Sequence, residues 1–350
     1  MSRINHSEIN LISDTVTKPS KAMLDFMCQA KVGDDVFKED PTVIALEEKM
    51  ARMFGHEAAL FCPSGTMTNQ IAIKVHTKPL DELLCEKNSH VFLYEVGGYA
   101  FHSGIAIQPI DSPNGKLNPS LILENIKANF DWLPNTKLVV IENTGNRTGG
   151  ICYSLEELKE ISQTCKETKL KLHLDGARIF NAIVEENYTS LQIGQLFDSI
   201  SVCLSKGLGA PIGSVLIGST AYIAEARKVR KAFGGGMRQA GFLAAAGIYA
   251  LDHHITDLKN DHQNAAKIKD VLIKSSYVDT IKDGNTNIVI FDLKKEIKPA
   301  EFIQKLSENN IRATAFGKQS IRFVTHRDIN SSQIDIVCQT LSELQFGIKD

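Results

Sequence analysis

No cysteine of this sequence stands in a Cys-x-x-Cys pair, no uninterrupted apolar run approaches the ~18 residues of a membrane span, and neither charge dominates. Each absence excludes something. The seven cysteines are an odd number without paired spacing, which fits a reducing cytosol better than a disulfide framework. Lys+Arg of 39 against Asp+Glu of 41 leaves a net charge of -2, so no general pull toward nucleic acid or an anionic membrane is expected. There is no repeat or low-complexity tract, and the polar start Met1–Asn10 lacks a signal-peptide pattern. A cytoplasmic globular protein is expected, and 350 residues suffice for two domains.

What is present is an alternation of apolar strands and helices. Leu11–Pro19 reads as an extended arm, followed by a helix over 20–29. Gly33–Thr42 is a polar, acidic loop without the spacing of a calcium loop, so a solvated loop or a subunit contact is expected there. Pro41 opens a helix with Val43, Leu46, Met50 and Phe54 on one face. Strands are expected at Ala58–Cys62, Leu83–Glu86, Lys137–Glu142, Leu170–Asp175 and Ser199–Leu204, with a helix over 155–168. Their continuous apolar character argues for a mostly parallel α/β sheet. Arg227, Lys228, Arg230 and Lys231 give the next helix a basic face, on which Arg227 and Lys228 read as solvated. Beyond residue 251 the character changes to a small α+β unit, dividing the chain into 1–251 and 252–350.

Two strand ends carry the chemistry. Asp175 and Lys206 each follow a hydrophobic strand and precede glycine, and such positions converge in the ligand crevice of an α/β sheet. A carboxylate for the pyridinium nitrogen and a lysine for a Schiff base suit pyridoxal 5'-phosphate. The blander alternative makes Asp175 a helix cap and Lys206 a solvated loop residue. Pro63-Ser-Gly-Thr, opening a helix, offers backbone N–H groups to a phosphate, or is ordinary capping by Ser64 or Thr66. His90, at a strand–helix junction, is a candidate for stacking on the cofactor ring. Lys231 and Arg238 bracket three glycines and are candidates for a phosphate-directed role.

The motifs Gly33-Asp-Asp-Val, His173-Leu-Asp-Gly-Ala-Arg-Ile-Phe-Asn-Ala, Leu204-Ser-Lys-Gly-Leu and Gly234-Gly-Gly-Met-Arg-Gln-Ala-Gly, in this order, resemble those of the low-specificity L-threonine aldolases. That family has the aspartate-aminotransferase fold and uses pyridoxal phosphate. The resemblance implies that Lys206 carries the cofactor, Asp175 pairs with its ring nitrogen and His90 stacks on the ring. It implies phosphate contacts from Gly65 and Thr66, with Lys231 and Arg238 reaching in from a neighbouring subunit of a homodimer or homotetramer. Ser13, Arg178 and Arg322 are expected to hold the substrate carboxylate, with Arg178 also on the cofactor side. No metal is expected. The implied reaction cleaves L-threonine, L-allo-threonine or a related β-hydroxy-α-amino acid to glycine and an aldehyde. The base that takes the hydroxyl proton stays open between His90, a phosphate-held water and another group. A β-eliminating lyase or aminotransferase on the same scaffold, or a non-catalytic binding protein, are the alternatives.

Three positions depart from the family pattern. Ile12 stands where the family has arginine, Phe37 where it has tyrosine, and Gly145 where it has a histidine near the substrate hydroxyl. Glycine there is expected to leave space and to favour bulkier β-hydroxy amino acids, unless the loop bends away and Gly145 is a turn residue. Arg147 is placed to reach the vacated region.

Overall fold

In the computed structural model of the protein, residues 8–347 are described; the first part of the polar start, Met1–Ser7, lies outside them. The described residues form strands β1 (Ile9–Asn10), β2 (Ala58–Cys62), β3 (Asp81–Glu86), β4 (Ala106–Ile110), β5 (Asn135–Glu142), β6 (Lys171–Gly176) and β7 (Ser199–Cys203). They continue with β8 (Ser214–Gly218), β9 (Val278–Ile281), β10 (Ile288–Leu293), β11 (Ile311–Arg312), β12 (Thr314–Ala315) and β13 (Ser320–Val324).

One seven-stranded sheet has the order β2-β8-β7-β6-β5-β3-β4. Leu83–Cys85, Leu138–Ile141, Leu172–Leu174 and Ile200–Val202 are buried along their whole length, which is why these strands read as unbroken apolar runs. The pairs β4–β3, β3–β5, β5–β6 and β6–β7 are parallel, whereas β8 is antiparallel to both neighbours. The connection from Cys203 to Ser214 is too short for a crossover helix, so the chain returns antiparallel. β2, antiparallel to β8, therefore points the same way as β7. The C-terminal ends of β2, β3, β5, β6 and β7 thus open on a single edge.

Local signals set the covering helices. Asp40 caps helix Pro41–Phe54 by accepting from the N–H groups of Thr42 and Val43, and Gly55 ends it at φ 66°. Helix Leu155–Glu167 starts in a capping box between Ser154 and Glu157. The acidic loop is not simply solvated. Asp35 is buried and accepts from Arg230 Nη2 at 2.5 Å and Arg227 Nη2 at 3.1 Å. Asp40 also accepts from Gly241 N at 2.8 Å. Arg227, expected on a solvated face, is drawn inward because a buried carboxylate requires cationic partners.

After His253, helix Leu258–Ile273 leads into a four-stranded antiparallel sheet, β12-β13-β10-β9, with helices Pro299–Ser307 and Ser331–Glu343. Phe291, Phe302, Phe323, Ile268, Leu272 and Leu341 belong to a second core. The N-terminal arm joins this second core: β1 pairs in parallel with β11, and Ile9 and Leu11 are fully buried there. The arm then crosses to the large sheet, where Thr17 Oγ1 donates to Lys206 O at 2.8 Å.

Candidate active site

Asp175, Lys206, the Gly65–Thr66 helix start and His90 stand along the shared strand edge. Asp175, at the end of β6, is buried; its Oδ2 accepts from Asn69 Nδ2 at 2.8 Å and its Oδ1 from Ala177 N at 3.2 Å. Lys206 follows β7 and is half-buried, and its charge bears on both the Asp14 carboxyl and the Cys203 thiol. Helix Gly65–His76 begins beyond β2, with Ser64 Oγ accepting from Met67 N at 3.2 Å. Ser64 is therefore the cap, while the first-turn N–H groups of Gly65 and Thr66 have no carbonyl one turn back within the helix. A Cβ on Gly65 would lie 2.5 Å from Cys203 Sγ, so this helix start needs glycine to approach β7 so closely.

His90 opens the short helix His90–Leu93 past β3. Its Nδ1 lies 2.9 Å from Glu95 Oε1 and its ring is 5.6 Å from that of Tyr94. Burial lowers the pKa of His90, but the hydrogen bond to Glu95 and the charges of Asp175, Glu95 and Glu142 outweigh it and raise the value above normal. Glu95, Asn69 and Gln70 were not legible as site residues in the sequence. Glu95 is buried and accepts from Asn69 Nδ2 at 2.8 Å and Gln70 Nε2 at 2.5 Å. Asn69 Oδ1 lies 3.2 Å from Nε2 of His173, whose pKa burial drives down to about 3, leaving the ring neutral. His90, Glu95 and Asp175 have ligand-type atoms within 4.8 Å of one another. The Asn69 amide directs its hydrogens at both carboxylates, so this is a hydrogen-bonded cluster whose central place is taken by a donor.

Three residues expected on the substrate side are gathered by the arm. Asp14 holds Arg178 through Nε and Nη2, both at 2.7 Å. Ile12 O accepts from Arg322 Nη2 at 3.0 Å, and Asn146 Oδ1 from its Nη1 at 2.9 Å. Ser13 lies between these two contacts, its Oγ accepting from Thr15 N at 3.2 Å. Arg322 lies 4.3 Å from the Phe316 ring centroid, and its Nε is buried without a partner among the described residues. Burial and the neighbouring charge of Arg178 push its pKa down to about 10. An anion delivered here would satisfy the orphaned donor.

Other expectations fare differently. Lys231 is exposed, and Arg238 is exposed and paired with Asp34 Oδ2 at 2.9 Å. Within this chain, the adjoining glycines do approach the phosphate-type helix start: a Cβ on Gly235 would fall 2.3 Å from Met67 Sδ. The space expected at Gly145 is absent on the side its Cβ would face. That atom would lie 2.1 Å from Thr148 Oγ1, inside a turn closed by Gly145 N to Ile151 O at 3.1 Å. Gly145 is thus a buried turn residue. Arg147 does extend outward, donating to Tyr94 OH and lying 4.7 Å from the Phe316 ring centroid. Phe37 is 68% exposed and touches none of these groups through hydrogen bonding.

The donor set fits pyridoxal phosphate: an amine, a buried carboxylate, an aromatic ring and a helix start, all on one strand edge. The comparisons agree with that chemistry. A family model described as beta-eliminating lyase matches residues 10–296. A low specificity L-threonine aldolase of Escherichia coli (strain K12) is 41% identical over 327 residues, 93% of this chain and 96% of that protein. Low-specificity L-threonine aldolase 1 of Arabidopsis thaliana is 38% identical over 336 residues, 93% of each. The solved threonine aldolase of Leishmania major superposes with TM-score 0.82 at 22% identity, covering 95% of this chain and 98% of that one. Serine palmitoyltransferase of Sphingomonas wittichii gives 0.76 at 16% identity, over 96% and 86%. The large sheet and small C-terminal unit are accordingly the fold of the pyridoxal-phosphate enzymes that the sequence led us to expect. The chain belongs to the beta-eliminating lyase family, among the low-specificity L-threonine aldolases.

Proposed function

We propose that this protein is a pyridoxal-phosphate-dependent aldolase that cleaves L-threonine, L-allo-threonine or a related β-hydroxy-α-amino acid to glycine and an aldehyde. The observation that carries the reading is the convergence of Lys206, Asp175 and the His90–Glu95 pair on one strand edge, beside an arginine with a free buried donor. In this reading unit 1–251 supplies the cofactor site, and 252–350 supplies Arg322.

When bound, the cofactor supplies an electron sink for the cleavage of the Cα–Cβ bond. Lys206 is the amine that would hold it covalently, and Asp175 the charge that keeps a proton on its ring nitrogen. The N–H groups of Gly65 and Thr66 would hold its phosphate. Lys231 and Arg238 serve the phosphate of a neighbouring subunit in a homodimer or homotetramer. Arg322 Nε–H and Ser13 would donate to the substrate carboxylate, and Arg178, clamped by Asp14, presents its remaining edge beside them. Such anchoring orients the breaking bond.

His90 is the residue best equipped to take the β-hydroxyl proton. In the neutral ring, Nδ1–H donates to the Glu95 carboxylate and leaves Nε2 as the acceptor. The oligomer is supported by apolar surface beside His90: Leu93, Tyr94, Val96 and Phe101 are all exposed. No helix among the described residues is long and apolar enough to cross a membrane.

Product analysis with L-threonine tests the reading. Glycine and acetaldehyde are expected; ammonia with a keto acid would make the protein a β-eliminating lyase, and no turnover would leave a binding protein. Borohydride should fix the cofactor on the peptide that contains Lys206.

A further inference from the structure

Glu142, at the C-terminal end of β5, accepts a backbone N–H on each carboxylate oxygen, and the two donors come from different segments. Oε2 takes the N–H of His90 at 2.6 Å; Oε1 takes that of Asn146 at 2.7 Å. The helix that His90 opens has no side-chain cap from Ser89, so Glu142 supplies the acceptor its first turn lacks. Asn146 passes the constraint on, because its Oδ1 holds Arg322 Nη1 at 2.9 Å. One carboxylate therefore ties the backbone of His90, whose ring is expected to face the cofactor, to the guanidinium expected to hold the substrate, although His90 opens a helix beside the large sheet and Arg322 lies on β13 of the small one.

We infer that Glu142 is a positioning residue: as a double acceptor, it sets His90 and Arg322 relative to each other. The inference rests on the roles proposed above for those two residues. Glutamine cannot replace it, since an amide offers one oxygen and would turn its own N–H groups toward one of the two donors. Around the carboxyl stand Asp175 across the β5–β6 pair, His90, Arg178, Tyr153 and Cys85. Burial and the charge of Asp175 push Glu142 up to about 7, against the pull of the Asn146 and His90 N–H groups and the His90 charge.

The test compares wild type, Glu142→Gln and Asn146→Ala in two ways. In the cofactor-free protein, amide exchange at one or both of His90 and Asn146 should be at least about tenfold faster in Glu142→Gln, the loss expected when a charged hydrogen bond of this kind is broken. In the holoenzyme, Glu142→Gln should raise KM and lower kcat, each about tenfold. Asn146→Ala, which breaks only the Arg322 arm, should raise KM and leave kcat near wild type. Unchanged exchange at both amides in Glu142→Gln overturns the inference. So does an equal fall of kcat in Asn146→Ala, a result that decides the matter even if Glu142→Gln fails to fold. Should the wild type cleave no β-hydroxy amino acid, the proposed function falls, and amide exchange still decides whether Glu142 ties the two segments.

Discussion

Asp14 grips Arg178 with both carboxylate oxygens, Oδ2 on Nε and Oδ1 on Nη2, each at 2.7 Å, and both side chains are almost wholly buried. The bond runs from the N-terminal arm to the loop after β6, across 164 positions of sequence. It also leaves Arg178 with a fixed orientation before any substrate arrives. Asp14→Asn should destabilise the protein by about 3–5 kcal/mol, because it strands a buried guanidinium. Burial pushes the Asp14 carboxyl up, but the charge and hydrogen bonds of Arg178 prevail and hold it well below its ordinary 3.8. A depressed carboxyl stabilises above its unfolded value and loses that contribution as pH falls through the folded one. Urea melts of wild type should therefore weaken progressively below pH 3.8, with Asp14→Asn lacking this component.

Glu95→Gln should lower the pKa of His90, since burial, the largest influence on that ring, is then opposed only by the more distant carboxylates. A raised histidine pKa contributes stability that is fully present below the unfolded value and lost as pH rises through the folded value. That loss should be weaker in the variant. Titration of the His90 ring by NMR measures the shift directly, and an unchanged midpoint would remove Glu95 from this role.

Asp175→Asn should keep the fold and the cofactor while turnover falls roughly a hundredfold, the effect of losing one well-placed electrostatic partner worth about 3 kcal/mol. The amide can still accept from Ala177 N, so the loop after β6 is expected to hold. Steady-state kinetics on the holoenzyme, with thermal melts of the cofactor-free protein as the control, separates chemistry from folding.

Gly145→Ala should cost about 1–3 kcal/mol, as expected of a methyl forced into a filled turn. The obstacle is Thr148 Oγ1, 2.1 Å from the added atom. In a Thr148→Ala background the same substitution should cost much less, and a double-mutant cycle in urea measures that coupling. Additive costs would mean that Thr148 is not what excludes a side chain at 145.

The place of Asp175 and Lys206 at strand ends was legible because it is local. Asp175 and Lys206 each follow a run of apolar residues that must be buried on both faces, so a polar residue at the run's end has to mark the sheet's edge. Ser64, Asp40 and Ser154 cap helices for reasons contained within four residues of chain. Glu95 has no such signal. It lies in a non-periodic stretch, and only the packing of helix Gly65–His76 brings Asn69 and Gln70 to its carboxylate. Gly145 shows the same limit from the other side: a missing side chain suggested space, while the backbone aims its Cβ at Thr148. Near neighbours in sequence decide period and capping, whereas the environment of a buried charge depends on which distant segments arrive around it. The sequence alone therefore determined the sheet and the strand ends at which Asp175 and Lys206 stand. The tertiary structure decided which carboxylates hold His90 and Arg178, because the partners that make a buried charge tolerable come from remote parts of the chain.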